Sequence, residues 1–226
     1  RDRGTVEHLK NPSLIEIRKY FNTYYVPNNM AVILSGDFNP DHAIAKIDKA
    51  FSYMKEKPVP EYTFAPEDAI TSPVIKEVVG PDAESVTIAF RLPSNQDKDA
   101  ALANLVGSIL TNGKAGLIDL NLVKKQKLLK ASAYSYLLVD HGLLYISASP
   151  SQGQSLEDVK KLVLNEIENL KKGNFDDDLI PSIVNNIKKH KIQQTESYGD
   201  RAYMLMDAFT GKLNWRDQVA YVNDLS

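Results

Sequence analysis

The chain has 226 residues, of which 43% are apolar and 25% charged, and its formal net charge is −2. These values are ordinary for one large or two small soluble domains, and the near-neutral charge gives no reason to expect nucleic acid or an anionic membrane as a partner. The lack of cysteine excludes disulfides, cysteine-based zinc sites and a thiol nucleophile. No apolar run is long enough to span a bilayer. Because the chain opens on Arg1-Asp2-Arg3 with neither a signal peptide nor an initiator methionine, we expect it to be part of a longer protein. The sequence does not indicate the cellular compartment of that protein.

The first 55 residues predict a helix, a strand and a second helix. Apolar and aromatic residues recur at helical spacing through residues 11–25, and Pro27 ends that stripe. The sequence "MAVILSGDF" at 30–38 is continuously apolar at its start, which predicts a short strand buried on both faces.

The cluster "GDFNPD" at 36–41 is glycine-led and acidic, so it could hold a metal or a phosphate, or it could separate a strand from a helix. Asn39 is a good N-cap, Pro40 is tolerated in a first turn, and Asp41 favours the positive end of a helix. The cluster is therefore interpreted as a structural boundary.

Residues 56–73 contain four prolines and no periodicity, which predicts a linker between the unit 1–55 and the remainder, 74–226. In the remainder, strands come in neighbouring pairs while helices run consecutively at the end. This order predicts an α+β fold with an antiparallel-rich sheet. The predicted elements are strands at 74–79 and 85–92, a helix at 98–110, a glycine loop at 111–116, a helix at 117–126, a hairpin at 129–150, and helices from Ser155 and from Asp178.

A hydrolytic zinc site normally uses two closely spaced histidines and a third protein ligand. The four histidines, His8, His42, His141 and His190, are far apart in sequence, and none stands in an HExxH or HxxEH motif. The acidic run 176–178 lacks the glycine and the bidentate Glu of a calcium loop. We therefore expect neither catalytic residues nor metal ligands in this chain.

Two basic runs, "KKQKLLK" at 124–130 and "KKHK" at 188–191, are better interpreted as solvated surface than as nucleic-acid patches, because acidic residues elsewhere balance them. The sequence "NGKAG" lacks the ending of a phosphate-binding loop. The alternating segment 132–136 is typical of a hairpin, and only a sheet of exposed aromatics would suggest a stacking surface.

The segment 14–51 resembles the opening of the C-terminal domain of insulinase/pitrilysin-type zinc peptidases, which include mitochondrial processing peptidase and bacterial zinc proteases. The family has a helix that ends in an aromatic-Tyr-x-Pro-x-Asn-Met turn, followed by an apolar strand that ends in Gly-Asp. The matching residues here are Tyr24, Tyr25, Pro27, Asn29, Met30, Gly36 and Asp37. The similarity continues through the glycine-rich loop, the hairpin and the capped helix after it, and covers about nine tenths of the chain.

This resemblance implies a sheet with helices packed on one side and a non-catalytic role, because the family's zinc ligands lie in a preceding domain. The implied partners are that HxxEH-bearing domain of the same parent chain and peptide substrates held in a shared chamber, with zinc in the parent protein and no cofactor here. The loop residues Asn112, Gly113 and Gly116 are the candidate chamber-facing element, although a helix C-cap explains the glycines equally well.

One stretch departs from the family pattern. Supportive copies of this domain carry an Arg-Glu-Lys-x-Gly-Leu-Ala-Tyr segment whose Arg and Tyr reach toward the substrate. Here the segment is "VKKQKLLK", with Val123 at the Arg position and Lys130 at the Tyr position. The chain could belong to the active half of its parent or to a degenerate half. The alternative function is a scaffold or binding protein that kept the peptidase fold after losing catalysis.

Overall fold

The computed structural model describes residues 6–61, 63, 65 and 68–216. Its internal contacts divide the chain into two compact units, residues 1–77 and residues 78–226. Among the described residues, no helix combines the length and the apolar character needed to cross a membrane.

Side-chain caps define where the helices of the first unit begin. The Oγ atom of Ser13 accepts the backbone N–H of Glu16 at 3.3 Å. The Oδ1 atom of Asn39 accepts the N–H of His42 at 2.9 Å, and Pro40 follows as the first helical residue. The prediction that "GDFNPD" marks a helix start is therefore confirmed. The elements of this unit are α1 (Val6–Lys10), α2 (Leu14–Tyr24), a 3-10 turn (Pro27–Asn29) and α3 (Pro40–Phe51).

The apolar segment 30–38 is not a strand, so that prediction is wrong. Met30, Val32 and Leu34 are 41%, 51% and 48% exposed, so burial on both faces is also wrong. A strand needs a neighbour that pairs with its N–H and C=O groups, and no described residue forms a ladder with this segment. The strand predicted at 74–79 is missing for the same reason.

The apolar stripes of the first unit are exposed to solvent. Neither α2 nor α3 buries a single residue, and within the described part of this unit Val26 alone is a buried hydrophobic residue. Ile17, Phe21 and Ile44 are 51%, 55% and 54% exposed. Apolar surface kept in water forgoes roughly 25 cal/mol of stabilisation per Å², so a surface of this kind normally marks a contact with another part of a protein.

The second unit is built on a three-stranded antiparallel sheet. Its elements are β1 (Val86–Leu92), α4 (Ala100–Leu110), a π-helical turn (Asp119–Val123), β2 (Lys130–Leu137), β3 (Gly142–Ser149), α5 (Leu156–Lys171), α6 (Leu179–Glu196) and α7 (Tyr198–Thr210). The strand order is β1-β3-β2, so β3 is central, and its Ile146 lies opposite Ile88 of β1 and Ala133 of β2. The α+β prediction, the predicted hairpin and the antiparallel sheet are confirmed.

Alternation along the strands gives this sheet a covered face and an open face. On the covered face, Leu144, Ile146 and Ala148 of β3 are buried in one core with residues of α4, α5 and α6. The predicted arrangement with helices on one side is therefore confirmed. The register places eleven residues on the opposite side, here called the open face: Thr87, Ala89 and Arg91 of β1, Lys130, Ser132, Tyr134 and Tyr136 of β2, and Leu143, Tyr145, Ser147 and Ser149 of β3.

Candidate functional site

The loop between α4 and the π-helical turn requires glycine at two positions. Gly113 has a φ of +76°, a conformation that strains any other residue. At Gly116, an added Cβ would lie 2.5 Å from the carbonyl oxygen of Leu110 and 2.7 Å from the Cα of Thr111. Backbone geometry thus explains both glycines. A role in contacting substrate stays a prediction for this loop.

A buried carboxylate organises the same loop. Asp119 is 8% exposed, and its Oδ2 atom accepts the backbone N–H groups of Asn112 and Gly113 at 2.8 Å each and of Gly116 at 3.2 Å. Hydrogen bonds from three N–H groups offset the free-energy cost of removing this carboxylate from water. Sequence reasoning missed Asp119. The available signal is its place at the start of a helical turn just after a glycine loop, where an acidic side chain finds free N–H groups.

The side chain of Asn112 completes the loop. Its Oδ1 atom accepts the N–H groups of Lys114 at 3.0 Å and Ala115 at 2.9 Å. Together with the three bonds to Asp119, these contacts use every N–H from 112 to 116 inside the loop. A loop that binds phosphate or an oxyanion directs such groups outward. This loop directs these groups inward and presents the exposed side chain of Lys114.

The helix predicted at 117–126 is shorter in the structure, where it is helical only through Val123 and its last five residues form the π-helical turn. A second buried carboxylate anchors this turn to α5. Glu166, 5% exposed, accepts hydrogen bonds from the Nδ2 atoms of Asn121 at 2.9 Å and Asn169 at 3.1 Å. The turn therefore has a fixed position relative to the core.

The two positions that depart from the family pattern lie in different environments. Val123 ends the π-helical turn and packs, half-buried, against the core. Lys130 is the first residue of β2, lies opposite Ser149 and is exposed. Val123 therefore offers only apolar contact, whereas Lys130 places an ammonium group at one end of the open face.

The open face carries a group of tyrosines beside Lys130. The rings of Tyr134 and Tyr145 stack with centroids 5.1 Å apart and an interplanar angle of 29°. The Tyr145 hydroxyl lies 3.3 Å from Oγ1 of Thr87. Tyr134 is 50% and Tyr136 56% exposed, so both offer apolar ring surface and a hydroxyl group to a partner.

The structure does not assemble a metal centre from its described residues. Within 6–61, 63, 65 and 68–216, no three His, Asp or Glu side chains are close enough together to hold an ion. His42 lies in the first turn of α3, His141 in the hairpin turn and His190 in α6. His8 lies in α1, and its side chain is outside the described part. The described residues therefore do not fit a zinc ion.

Comparison with known proteins identifies the family. Residues 13–187 match the family model described as the Peptidase M16 inactive domain. The zinc protease PqqE of Helicobacter pylori is 25% identical over 209 residues, which covers 90% of this chain and 47% of that protein. The chain therefore spans about half the length of the curated relative it matches.

Solved structures share the fold. A protease from Helicobacter pylori superposes with a TM-score of 0.84 at 23% identity, covering 98% of this chain and 55% of that one. A peptidase M16 inactive domain from Pseudomonas fluorescens superposes with a TM-score of 0.76 at 16% identity, and the match covers 100% of this chain and 52% of that one. The periplasmic protease PqqL from Escherichia coli superposes with a TM-score of 0.69 at 15% identity, and the match covers 98% of this chain and 26% of that one. With most of its residues matched by the family model, the chain belongs to the Peptidase M16 inactive-domain family, the non-catalytic C-terminal domain of insulinase-type zinc peptidases that its opening motif predicted.

Proposed function

We propose that this chain is the non-catalytic domain of a longer zinc metalloprotease and that its open face forms part of the wall of a peptide-binding chamber. The observation that carries the proposal is the one-sided sheet. Within the described part of the second unit, helices cover one face, whereas the other presents half-exposed tyrosines and carries no helix of that unit. Extended peptides bind well to such surfaces, because aromatic side chains supply apolar contact together with hydroxyl groups.

The first unit supports the second half of the proposal, a partner domain in the same protein. The helices α2 and α3 bury none of their residues, although each carries an apolar stripe. The segment 30–38 is apolar over its first five residues and forms no strand pairing among the described residues. We propose that an HxxEH-bearing peptidase domain covers this surface and supplies the zinc and the catalytic groups.

The test uses the full-length protein that contains this chain. Tyr134→Ala and Tyr136→Ala should each weaken peptide binding by about threefold to tenfold, the range expected for one aromatic contact, while zinc content stays unchanged. Tyr203→Ala is the matched control, since Tyr203 is 64% exposed on α7 and outside the open face.

Two results would contradict the proposal. Unchanged peptide binding in both open-face variants would mean that this surface does not line the chamber. A full-length protein with neither an HxxEH motif nor bound zinc, yet with peptide binding through this face, would favour the scaffold alternative over a peptidase.

A further inference from the structure

We propose that the open face binds the acidic part of an extended peptide, and that Lys130 and the lysines just before it contact the carboxylates of that peptide. This inference rests on the proposed function, because it names the class of substrate held at the same surface.

Positive charge is concentrated in one segment of an otherwise acidic chain. Residues 112–130, here called the lysine segment, contain five lysines and a single acidic residue, Asp119. The segment therefore carries a charge of +4, and since the whole chain carries −2, the remainder carries −6. The five lysines are Lys114, Lys124, Lys125, Lys127 and Lys130.

These lysine charges are not neutralised by direct ion pairs. In the part of the chain that the structure describes, none of the five ammonium groups has a carboxylate at ion-pair distance. The Nζ atom of Lys124 donates to the carbonyl oxygen of Lys114, and that of Lys125 donates to Oδ1 of Asn121 at 3.2 Å. Asn121 in turn donates its Nδ2 to the carboxylate of Glu166, so the amide links Lys125 to that carboxylate without a direct ion pair.

The single acidic side chain of the segment is turned inward. Asp119 is buried and accepts three backbone N–H groups of the loop, so it does not compete for the lysine ammonium groups. The exposed charged groups of the segment are therefore cationic, and an anionic partner gains an attraction that no direct ion pair already satisfies.

The lysine segment meets the tyrosines of the open face at Lys130. Lys130 shares that face with Tyr134 and Tyr136 at positions i, i+4 and i+6 of β2. At about 3.3 Å per residue, the strand spans roughly 20 Å from Lys130 to Tyr136. An extended peptide of about six residues would cover that distance, with its acidic side chains at the Lys130 end and its apolar side chains against the rings.

Peptide carboxylates fit this surface better than a nucleic acid does. The ring faces of Tyr134 and Tyr145 stack on each other, so they are not both free to stack on a base. The remaining charge of −6 also repels a long polyanion, whereas a short acidic peptide can be held within the lysine segment. A lysine ammonium group is a compact charge with three rotatable N–H donors. It can therefore bind a carboxylate without requiring one fixed orientation of the peptide.

The experiment measures peptide binding to the full-length protein by fluorescence anisotropy, with a chelator present to prevent turnover. The probes are an eight-residue peptide with two glutamates beside two leucines, and its matched peptide with glutamines at the same positions. We expect about fivefold tighter binding of the glutamate peptide at low salt, the effect of two exposed ion pairs, and a smaller ratio at high salt.

Substitutions assign that preference to the lysine segment. Lys130→Glu combined with Lys127→Glu should abolish the preference, and Lys130→Arg should keep it because the cation remains. Lys189→Glu on α6 makes the same charge change at an exposed lysine outside the segment and should leave the ratio unchanged.

Each remaining outcome overturns a different statement. Equal binding of the two peptides by the wild-type protein would overturn the acidic preference and leave the chamber proposal standing. Failure to bind either peptide would overturn the proposed function and this inference with it. Tighter binding of a single-stranded oligonucleotide through the same lysines would assign the surface to nucleic acid instead.

Discussion

The hydroxyl group of Thr111 hydrogen-bonds both backbone groups of Ala133, accepting its N–H at 2.7 Å and donating to its C=O at 2.7 Å. Ala133 lies in β2, the outer strand next to α4, where a further strand would otherwise pair with these two groups. Thr111 thus replaces a neighbouring strand at the centre of this edge. An extended peptide therefore cannot add to β2 at that position.

Substitution of Thr111 by Val should therefore destabilise the second unit by about 1–3 kcal/mol. The change keeps the shape but leaves the N–H and C=O of Ala133 without partners in a partly buried place. Thr111→Ser retains the hydroxyl and is the matched control. Hydrogen exchange at Ala133 should accelerate in the Val variant and not in the Ser variant. Equal exchange in the two variants would mean that the hydroxyl does not protect this edge.

Replacement of Asp119 by Asn tests the organising role of the buried carboxylate. The amide keeps one acceptor oxygen but has no charge, so the three N–H bonds to Oδ2 weaken. We expect a loss of about 1.5–3 kcal/mol in free energy of unfolding, the range for hydrogen bonds to a charged group. Urea denaturation measures the loss, and amide exchange at Asn112 and Gly113 should rise with it. Asp177→Asn, at an exposed position, is the control and should change stability by less than about 0.5 kcal/mol.

Local sequence signals predicted what depends on local contacts. The caps Asn39 and Ser155 each bond to an N–H three residues ahead, so the residue type and its spacing were enough to place the starts of α3 and α5. The hairpin β2–β3 was predictable because its two strands alternate and are joined by a short turn.

Other features depend on groups that sequence patterns do not bring together. Segment 30–38 has the apolar content of a strand, but pairing requires a neighbour that no described residue provides. Thr111 and Ala133 lie 22 positions apart and meet only because α4 runs beside β2. The charge of Lys130 could be read from the sequence, whereas its position beside Tyr134 follows from the register of the sheet.

Gly116→Ala tests the close approach between the loop and the end of α4. The added Cβ would lie 2.5 Å from a backbone oxygen of Leu110, which cannot move aside as a flexible side chain could. We expect a loss of about 1–3 kcal/mol, the usual cost of overpacking, measured by urea denaturation. Gly199→Ala is the control, because the nearest atom to its added Cβ is Oγ of Ser197 at 3.8 Å and Gly199 lies in α7. This change should be neutral or stabilising by up to about 1 kcal/mol. An equal effect at both sites would contradict the steric argument.

In the full-length protein, segment 30–38 should behave as a paired strand covered by a partner domain. Its amides should exchange quickly in the isolated chain and slowly in the full-length protein, because pairing protects N–H groups that are otherwise in water.

Val32→Asp should then lower the free energy of unfolding of the full-length protein by at least the roughly 1.5–3 kcal/mol gained by burying a valine. In the isolated chain, where Val32 is 51% exposed, the stability should change little. Lys46→Asp, on the exposed surface of α3, is the control. Fast exchange at 30–38 in the full-length protein would mean that the apolar surface of the first unit has no partner there.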